Sequence, residues 1–374
     1  MTSIAFAGAG WVTAVHGLAA AGVPELSIVH VASRSHRSAR RRAEQTGAVV
    51  CDYDDLPGGA DAVVVATPPA LHLREARRAV EGGAAALVEA PLAATLADAD
   101  ELVALAEKGA VLAYGENLVH APPVAEALRA ARRTGGLTHL EVRLAQGRPD
   151  RSNHLARSWG GGALFDLGAH AVGLALLLAA PARLVEVERA ELTASDGLAV
   201  DDDATVSLRF DTGLRAQVRA TWRAAAPAWD AQTASATGAM RLELVPRPGV
   251  ELNGVGVRLP EPGGELASPQ LEQLGYVGQL AALSGDAAAG RSPRSSMAFG
   301  RTVLEVICAA YASAATGSPE PLPFTGPRDR TPVDLWHAPT PPVSPAAAPV
   351  SSPPDADADA DADANADADR PPPP

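Results

Sequence analysis

The first third of the chain alternates short apolar runs with longer stretches in which apolar residues recur every three to four positions. The runs "SIAFA", "LSIVHVA", "VVC", "AVVVA", "AALV" and "VLAY" predict strands at Ser3–Ala7, Leu26–Ala32, Val49–Cys51, Ala62–Ala66, Ala85–Val88 and Val111–Tyr114. Between them the longer period predicts helices over Gly10–Ala21, Ser35–Thr46, Ala70–Glu81 and Leu96–Glu107. Strand and helix in strict turn predict parallel βαβ units and therefore a doubly wound α/β sheet of the Rossmann type.

From about Leu137 the period shortens. "LTHLEVRLA", "RLVEVERAEL", "ATVSLRF", "LRAQVRATW" and "MRLELV" alternate apolar and polar residues, as strands of a mostly antiparallel sheet with one wet face do. A helix around Gly162–Ala179 interrupts them, and two more near Leu271–Ala289 and Met297–Thr316 close the region. The expected organisation is a dinucleotide-binding domain over residues 1–120 and an α+β substrate and oligomerisation domain over 121–337. Residues 338–374, rich in Pro, Ala and Asp, form the last segment. Such a composition buries too little apolar surface to offset chain entropy, so disorder is expected there.

Composition changes this picture little. A hydrophobic share of 47% against 20% charged fits a globular protein long enough for two cores. The net charge of −13 argues against a nucleic-acid surface, but residues 355–370 hold seven Asp and one Arg, so −6 of it belongs to that segment. Cys51 and Cys308 have no paired or metal-ligand spacing and are expected as buried thiols in a reduced compartment. No signal-peptide pattern opens the chain, and the apolar run around "GLALLLAA" is shorter than the ~20 residues of a membrane span. A cytoplasmic protein with no membrane partner is expected. Lysine occurs once, at Lys108, so few places can supply a catalytic ammonium.

The candidate chemistry begins in "IAFAGAGWVTAVHG". Gly8 and Gly10 follow the first strand and open a helix, where glycine permits a tight turn and close approach of a diphosphate to the exposed amides. Thr13 takes the third small position and is expected to loosen helix–strand packing slightly. At the end of the second strand, where an NAD site usually offers a carboxylate to the ribose, stand Ser33 and Arg34, with Arg37 nearby. These suit a 2′-phosphate, favouring NADP(H) over NAD(H), although ordinary solvated residues at a helix start look the same. Thr67, Pro68 and His72 in "DAVVVATPPALH" lie where the cofactor crevice is expected, His72 equally suiting a packing role. In "WGGGALFDLGAH", Asp166 and His170 share a helical face and can form a proton-transfer unit. The same spacing suits a satisfied polar pair on a partly buried helix.

Together these segments resemble the Gfo/Idh/MocA family of NAD(P)-dependent oxidoreductases across nearly all of residues 1–337. The resemblance also rests on His16, "EAPLAATLADADELVALAEKGAVLAYGEN", "DDDATVSLRFDTG" and "RTVLEVICAAYASAATGSPEPLPF". It implies that Gly8, Gly10, Trp11 and Val12 line the diphosphate and nicotinamide side of the cofactor. It implies that Ser33 and Arg34 meet the adenosine ribose, and that Thr67, Pro68, His72, Glu89 and Ala90 follow the crevice, with Asn117 near the nicotinamide. Asp166 and His170 match the family's Asp-x-x-x-His pair, the histidine exchanging a proton with the reacting hydroxyl or carbonyl. A homodimer or homotetramer acting on a sugar- or polyol-like small molecule follows from the same likeness.

Two positions depart from the pattern. The family's Glu-Lys-Pro lysine is Ala90, and an acidic position three residues after the histidine is Gly173. Lys108 cannot replace the lysine, because it lies about 18 residues on, roughly 27 Å along a helical path. The expectation is an NADP(H)-dependent enzyme relying on His170, which the Asp166 carboxylate keeps protonated, and leaning towards carbonyl reduction. The alternatives are a catalytically degenerate NADP-binding sensor or partner subunit, and a redox-assisted glycosidase or epimerase. His120, His154, Arg157, Trp159 and Tyr276 are further candidates for a polar pocket.

Overall fold

The computed structural model describes residues 1–150, 152–261 and 269–337. The segment expected to be disordered, 338–374, lies outside the described residues. The first sheet contains β1 (Thr2–Ala7), β2 (Leu26–Ala32), β3 (Val49–Cys51), β4 (Ala62–Val65), β5 (Ala85–Glu89) and β6 (Leu112–Gly115). All its pairings are parallel and the strand order is β3-β2-β1-β4-β5-β6. Chain direction across the sheet reverses between β1 and β4, so the crevice at their carboxyl ends is where this topology places ligands. The crossovers are α1 (Trp11–Ala20), α2 (His36–Thr46), α3 (His72–Glu81) and α4 (Leu96–Glu107). Ser35 caps α2 and Thr95 caps α4, each hydroxyl accepting from the backbone three residues on. A helix that the apolar period did not predict, α5 (Pro122–Arg133), leads out of this region.

The second sheet has nine strands. In chain order they are β7 (Leu137–Gly147), β8 (Leu184–Thr193), β9 (Asp203–Phe210), β10 (Arg215–Thr221), β11 (Arg223–Ser235), β12 (Gly238–Val245), β13 (Gly249–Leu252), β14 (Val255–Val257) and β15 (Glu320–Pro321). Their order is β14-β13-β12-β11-β7-β10-β9-β8-β15, antiparallel except for the β7–β10 pair. Every second residue of β9 is buried (Ala204, Val206, Leu208 and Phe210). Against that inner face, on β7 and β10, packs α6 (Ala163–Ala179). The outer face carries ion pairs instead, including Arg143–Asp230 at 2.6 Å, Arg219–Asp203 at 3.2 Å and Arg209–Glu186 at 2.6 Å.

Four helices finish the described chain: the short α7 (Pro269–Gln273), α8 (Tyr276–Ala289), α9 (Met297–Thr316) and α10 (Pro332–His337). The single helix expected over Leu271–Ala289 is thus broken in two. Gly275 interrupts it at φ 89°, and a side chain there would meet the Asn117 carbonyl at 2.1 Å. α8 crosses back to α1, where Leu280 and Leu283, with Leu271 of α7, share one core with Ile4, Phe6 and Leu87 of the first sheet. α9 joins both halves, packing on α4 and β8, while the Tyr114 amide donates to the Ser295 carbonyl just before it. The stretch Arg157–Ala179 and α9 are long and apolar enough to span a bilayer, yet 78% and 72% of their most apolar windows are buried within the protein. They are apolar because each is surrounded by other elements of the fold.

Candidate active site

The turn after β1 separates two reasons for glycine. Gly8 sits at φ 118°, and a Cβ there would lie 2.4 Å from the Ala66 carbonyl oxygen, so the protein itself demands glycine. Gly10, the residue before α1, has an ordinary φ of −74°, and a Cβ there would meet nothing within 4 Å. Neither conformation nor packing requires its hydrogen. The open space over the amino end of α1 fits a diphosphate lying close to the backbone. Trp11 and Val12 begin the helix half-exposed beside it. At the end of β2, Ser33 accepts a hydrogen bond from the Ser35 amide, while Arg34 is exposed and makes no hydrogen bond or ion pair among the described residues.

On the other side of the crevice His72 is fully buried. Its Nε2 lies 2.7 Å from the Thr67 carbonyl and its Nδ1 3.1 Å from that of Leu92. Burial lowers its pKa, the two carbonyls work against that, and the ring ties the Thr67-Pro68 turn to the segment after Pro91. His72 is therefore a strut of the crevice. The Thr67 hydroxyl is buried without a partner in the described residues. Glu89, at the end of β5, is held by His16 of α1, Nε2 to Oε1 at 2.6 Å, and the edge of Tyr276 meets that imidazole at 5.8 Å. Ala90 follows, half-buried, ahead of a cis bond to Pro91. Asn117 is turned to a structural task, its side-chain amide donating to the Leu274 carbonyl at 2.7 Å and anchoring the start of α8.

His170 lies in the middle of α6 with its side chain 18% exposed. Its Nδ1 is 3.0 and 3.1 Å from the two carboxylate oxygens of Glu116, a wholly buried residue just past β6. Asp166, one turn earlier, makes no hydrogen bond to the ring. The carboxylate bonded to the ring is thus Glu116, and Asp166 acts on it through charge alone. Burial opposes charge on the ring, but the charge and hydrogen bond of Glu116, aided by Asp166 and Glu89, push His170 up to about 9. Glu116 is thus the main influence that favours charge on the ring, and Asp166 is a smaller one. Gly173 leaves the room for this: a Cβ there would lie 3.2 Å from Glu116 Oε2. The indole of Trp229, on β11, stacks at 6.1 Å and 25° on the imidazole. With Nδ1 engaged, Nε2 is the nitrogen left to meet a substrate.

The helix that carries His170 is fastened at its amino end. The buried Asp201 carboxylate accepts from the amides of Gly162 (3.0 Å) and Leu164 (2.8 Å) and from the Tyr311 hydroxyl. The other polar candidates are committed within the fold. His154 stacks on Trp159 at 4.1 Å, Arg157 pairs with Asp334 of α10, and burial followed by the Arg294 charge pushes His120 down to about 4. Glu116 and Trp229 are the neighbours of His170 that sequence reasoning missed. Glu116 stood in the "YGEN" stretch beside Asn117, but nothing local pointed 54 residues ahead to His170.

Residues 2–116 match the model of the oxidoreductase family with an NAD-binding Rossmann fold, and residues 124–243 match the Gfo/Idh/MocA C-terminal domain. The chain is 38% identical over 167 residues to a dTDP-3,4-didehydro-2,6-dideoxy-alpha-D-glucose 3-reductase of Streptomyces violaceoruber, covering 42% of this chain and 48% of that protein. It is 27% identical over 183 residues to a putative UDP-kanosamine synthase oxidoreductase subunit of Amycolatopsis mediterranei, covering 43% and 51%. The chain therefore spans about half the length of the curated relatives it matches. In three dimensions it resembles GenD2 from gentamicin A biosynthesis, solved in complex with NAD, with a TM-score of 0.76, 26% identity and coverage of 86% and 96%. On its two matched domains, its Rossmann sheet and its second, mostly antiparallel sheet, the chain belongs to the Gfo/Idh/MocA family of oxidoreductases.

Proposed function

We propose that the chain is an NADP(H)-favouring oxidoreductase that reduces a carbonyl of a sugar-like substrate, with His170 as the proton donor. The observation that carries this reading is the Glu116–His170 pair, which keeps a protonated imidazole at neutral pH with Nε2 free. The Gly8–Val12 turn, Thr67 and Pro68 would hold the dinucleotide, with Ser33 and Arg34 at its adenosine end. When bound, the nicotinamide supplies the hydride for the reduction. His170 Nε2–H then gives its proton to the carbonyl oxygen as negative charge builds there, and Glu116 and Asp166 stabilise the imidazolium until that moment. Ala90 contributes a methyl group where the family's Glu-Lys-Pro pattern has an ammonium, so no second proton donor stands at that position beside His170. It also leaves room for a bulky sugar. The curated relatives bear sugar-nucleotide names, which supports that substrate class. A homodimer or homotetramer completes the proposal.

The test is a screen of sugar and sugar-nucleotide ketones with NADPH and NADH across pH. Reduction is expected to be level below pH 9 and to fall above it as His170 loses its proton. In Glu116→Gln the largest favourable influence on the imidazolium is gone, so the fall moves towards the ordinary 6.5 of a histidine. An unmoved profile would refute the assignment of the proton to this pair. The same linkage acts on stability. A ring whose pKa is raised by folding contributes stability that is full below 6.5 and lost as pH climbs through about 9. For the cofactor, Arg34→Ala is expected to lower the NADPH-over-NADH preference about tenfold, as the loss of one charge-assisted phosphate contact would. An unchanged ratio of kcat/KM values for the two cofactors counts against a 2′-phosphate site.

A further inference from the structure

One buried cation has no anion beside it. Arg42 of α2 is 3% exposed, yet no carboxylate pairs with it among the described residues. Its guanidinium donates instead to neutral oxygens: Nη2 to the Gly10 carbonyl at 3.0 Å, Nε to the Thr13 hydroxyl at 3.3 Å and Nη1 to Gln45 at 2.5 Å. Thr13 in turn donates to the same Gly10 carbonyl at 2.8 Å. The hydroxyl at the third small position is thus a mount for the arginine, and the loosened packing expected from a threonine there is replaced by a built contact. The charged neighbour that bears on Arg42 is another cation, Arg41.

A buried guanidinium facing the positive end of a helix is unfavourable unless an anion joins them. Arg42 and Thr13 both grip the Gly10 carbonyl from the protein side, while the outer side of Gly10 is the open space where a Cβ would meet nothing. We propose that Arg42 is the fixed counter-charge for the diphosphate of the dinucleotide, acting from behind the glycine turn on NADH and NADPH alike. Its contacts reach residues 10 and 13 and not Ser33 or Arg34 at the adenosine end, so the phosphate it serves is the one both cofactors share. This rests on dinucleotide binding by the Rossmann domain and is independent of which carbonyl is reduced.

Calorimetric titration of the full chain and of Arg42→Gln and Arg42→Lys tests it, with NADPH, NADH, ADP-ribose and phosphate-free adenosine as ligands. In R42Q the affinities for the three diphosphate ligands are expected to drop together by about tenfold to a hundredfold, as when a charge-assisted contact is removed. Adenosine affinity is expected to stay level, and R42K to recover most of the loss. A drop confined to NADPH would move the arginine to the 2′-phosphate and overturn the proposal. An equal drop for adenosine would make Arg42 a prop of the loop alone, and no drop would remove its role altogether. Should R42Q fail to fold, Thr13→Val, which removes the mount, is expected to give the same pattern more weakly. Unchanged diphosphate affinity in T13V would overturn the proposal equally well. A wild-type chain that binds none of the four ligands would instead defeat the cofactor reading.

Discussion

Replacing His170 by alanine is expected to lower carbonyl reduction by about 10²–10⁴-fold, the usual contribution of a positioned proton donor, with cofactor affinity unchanged. The size follows from the site's arrangement. Glu116 holds one ring nitrogen with both oxygens and is itself wholly buried, so the imidazole cannot swing away and the proton on Nε2 has one direction to go. Ala90 supplies no ammonium, and the lone lysine of the chain, Lys108, lies beyond the far end of α4. Single-turnover kinetics that separate chemistry from cofactor binding would measure the loss, and a variant retaining full turnover would end the case for His170. Ala90→Lys together with the alanine variant tells whether a cation at the motif position can take over.

The second large effect is structural. Asp201→Ala is expected to destabilise the protein by about 3–5 kcal/mol, because it strands two helix-end amides and a tyrosine hydroxyl inside the core. For a unit of this size that is a fall in Tm of roughly 10 °C, measurable by calorimetry. Burial pushes the Asp201 carboxyl up to about 6 while Tyr311 and the two amides pull it the other way. A carboxylate that persists against such burial is anchored by all of its donors. Loss of this clamp frees the start of α6, so the rate carried by His170 is expected to fall with it. A Tm within a degree or two of the parent would show that α6 is fixed by its apolar packing alone.

The legible parts of this fold are those where neighbouring residues decide. The strands of the first sheet and α4 emerge within a residue or two of expectation, because Ala- and Val-rich runs end at clear caps such as Ser35 and Thr95. β11 was not foreseen: "RAAAPAWDAQTAS" is rich in alanine and holds Pro227, and its strand character comes from pairing with β7 and β12. The break at Gly275 was hidden likewise, since it is imposed by the Asn117 carbonyl more than 150 residues away. The candidate site follows the same rule. Gly8, Gly10 and the Asp166–His170 spacing were visible, whereas Glu116, Trp229 and Arg42 act across the chain and depend on topology.

The return of α8 to the face of the first sheet has a consequence for recombination. Ile4 and Phe6 are covered by Leu280 and Leu283, contributed from the far end of the sequence. A cofactor module cut after β6 would leave this apolar face bare and prone to self-association. Exchanging cofactor preference between relatives by swapping amino-terminal halves would therefore mismatch a seam laid down by two distant stretches. Point changes around Ser33 and Arg34 leave that seam intact, and on the proposed reading they are the route by which such a scaffold can drift from one dinucleotide to another.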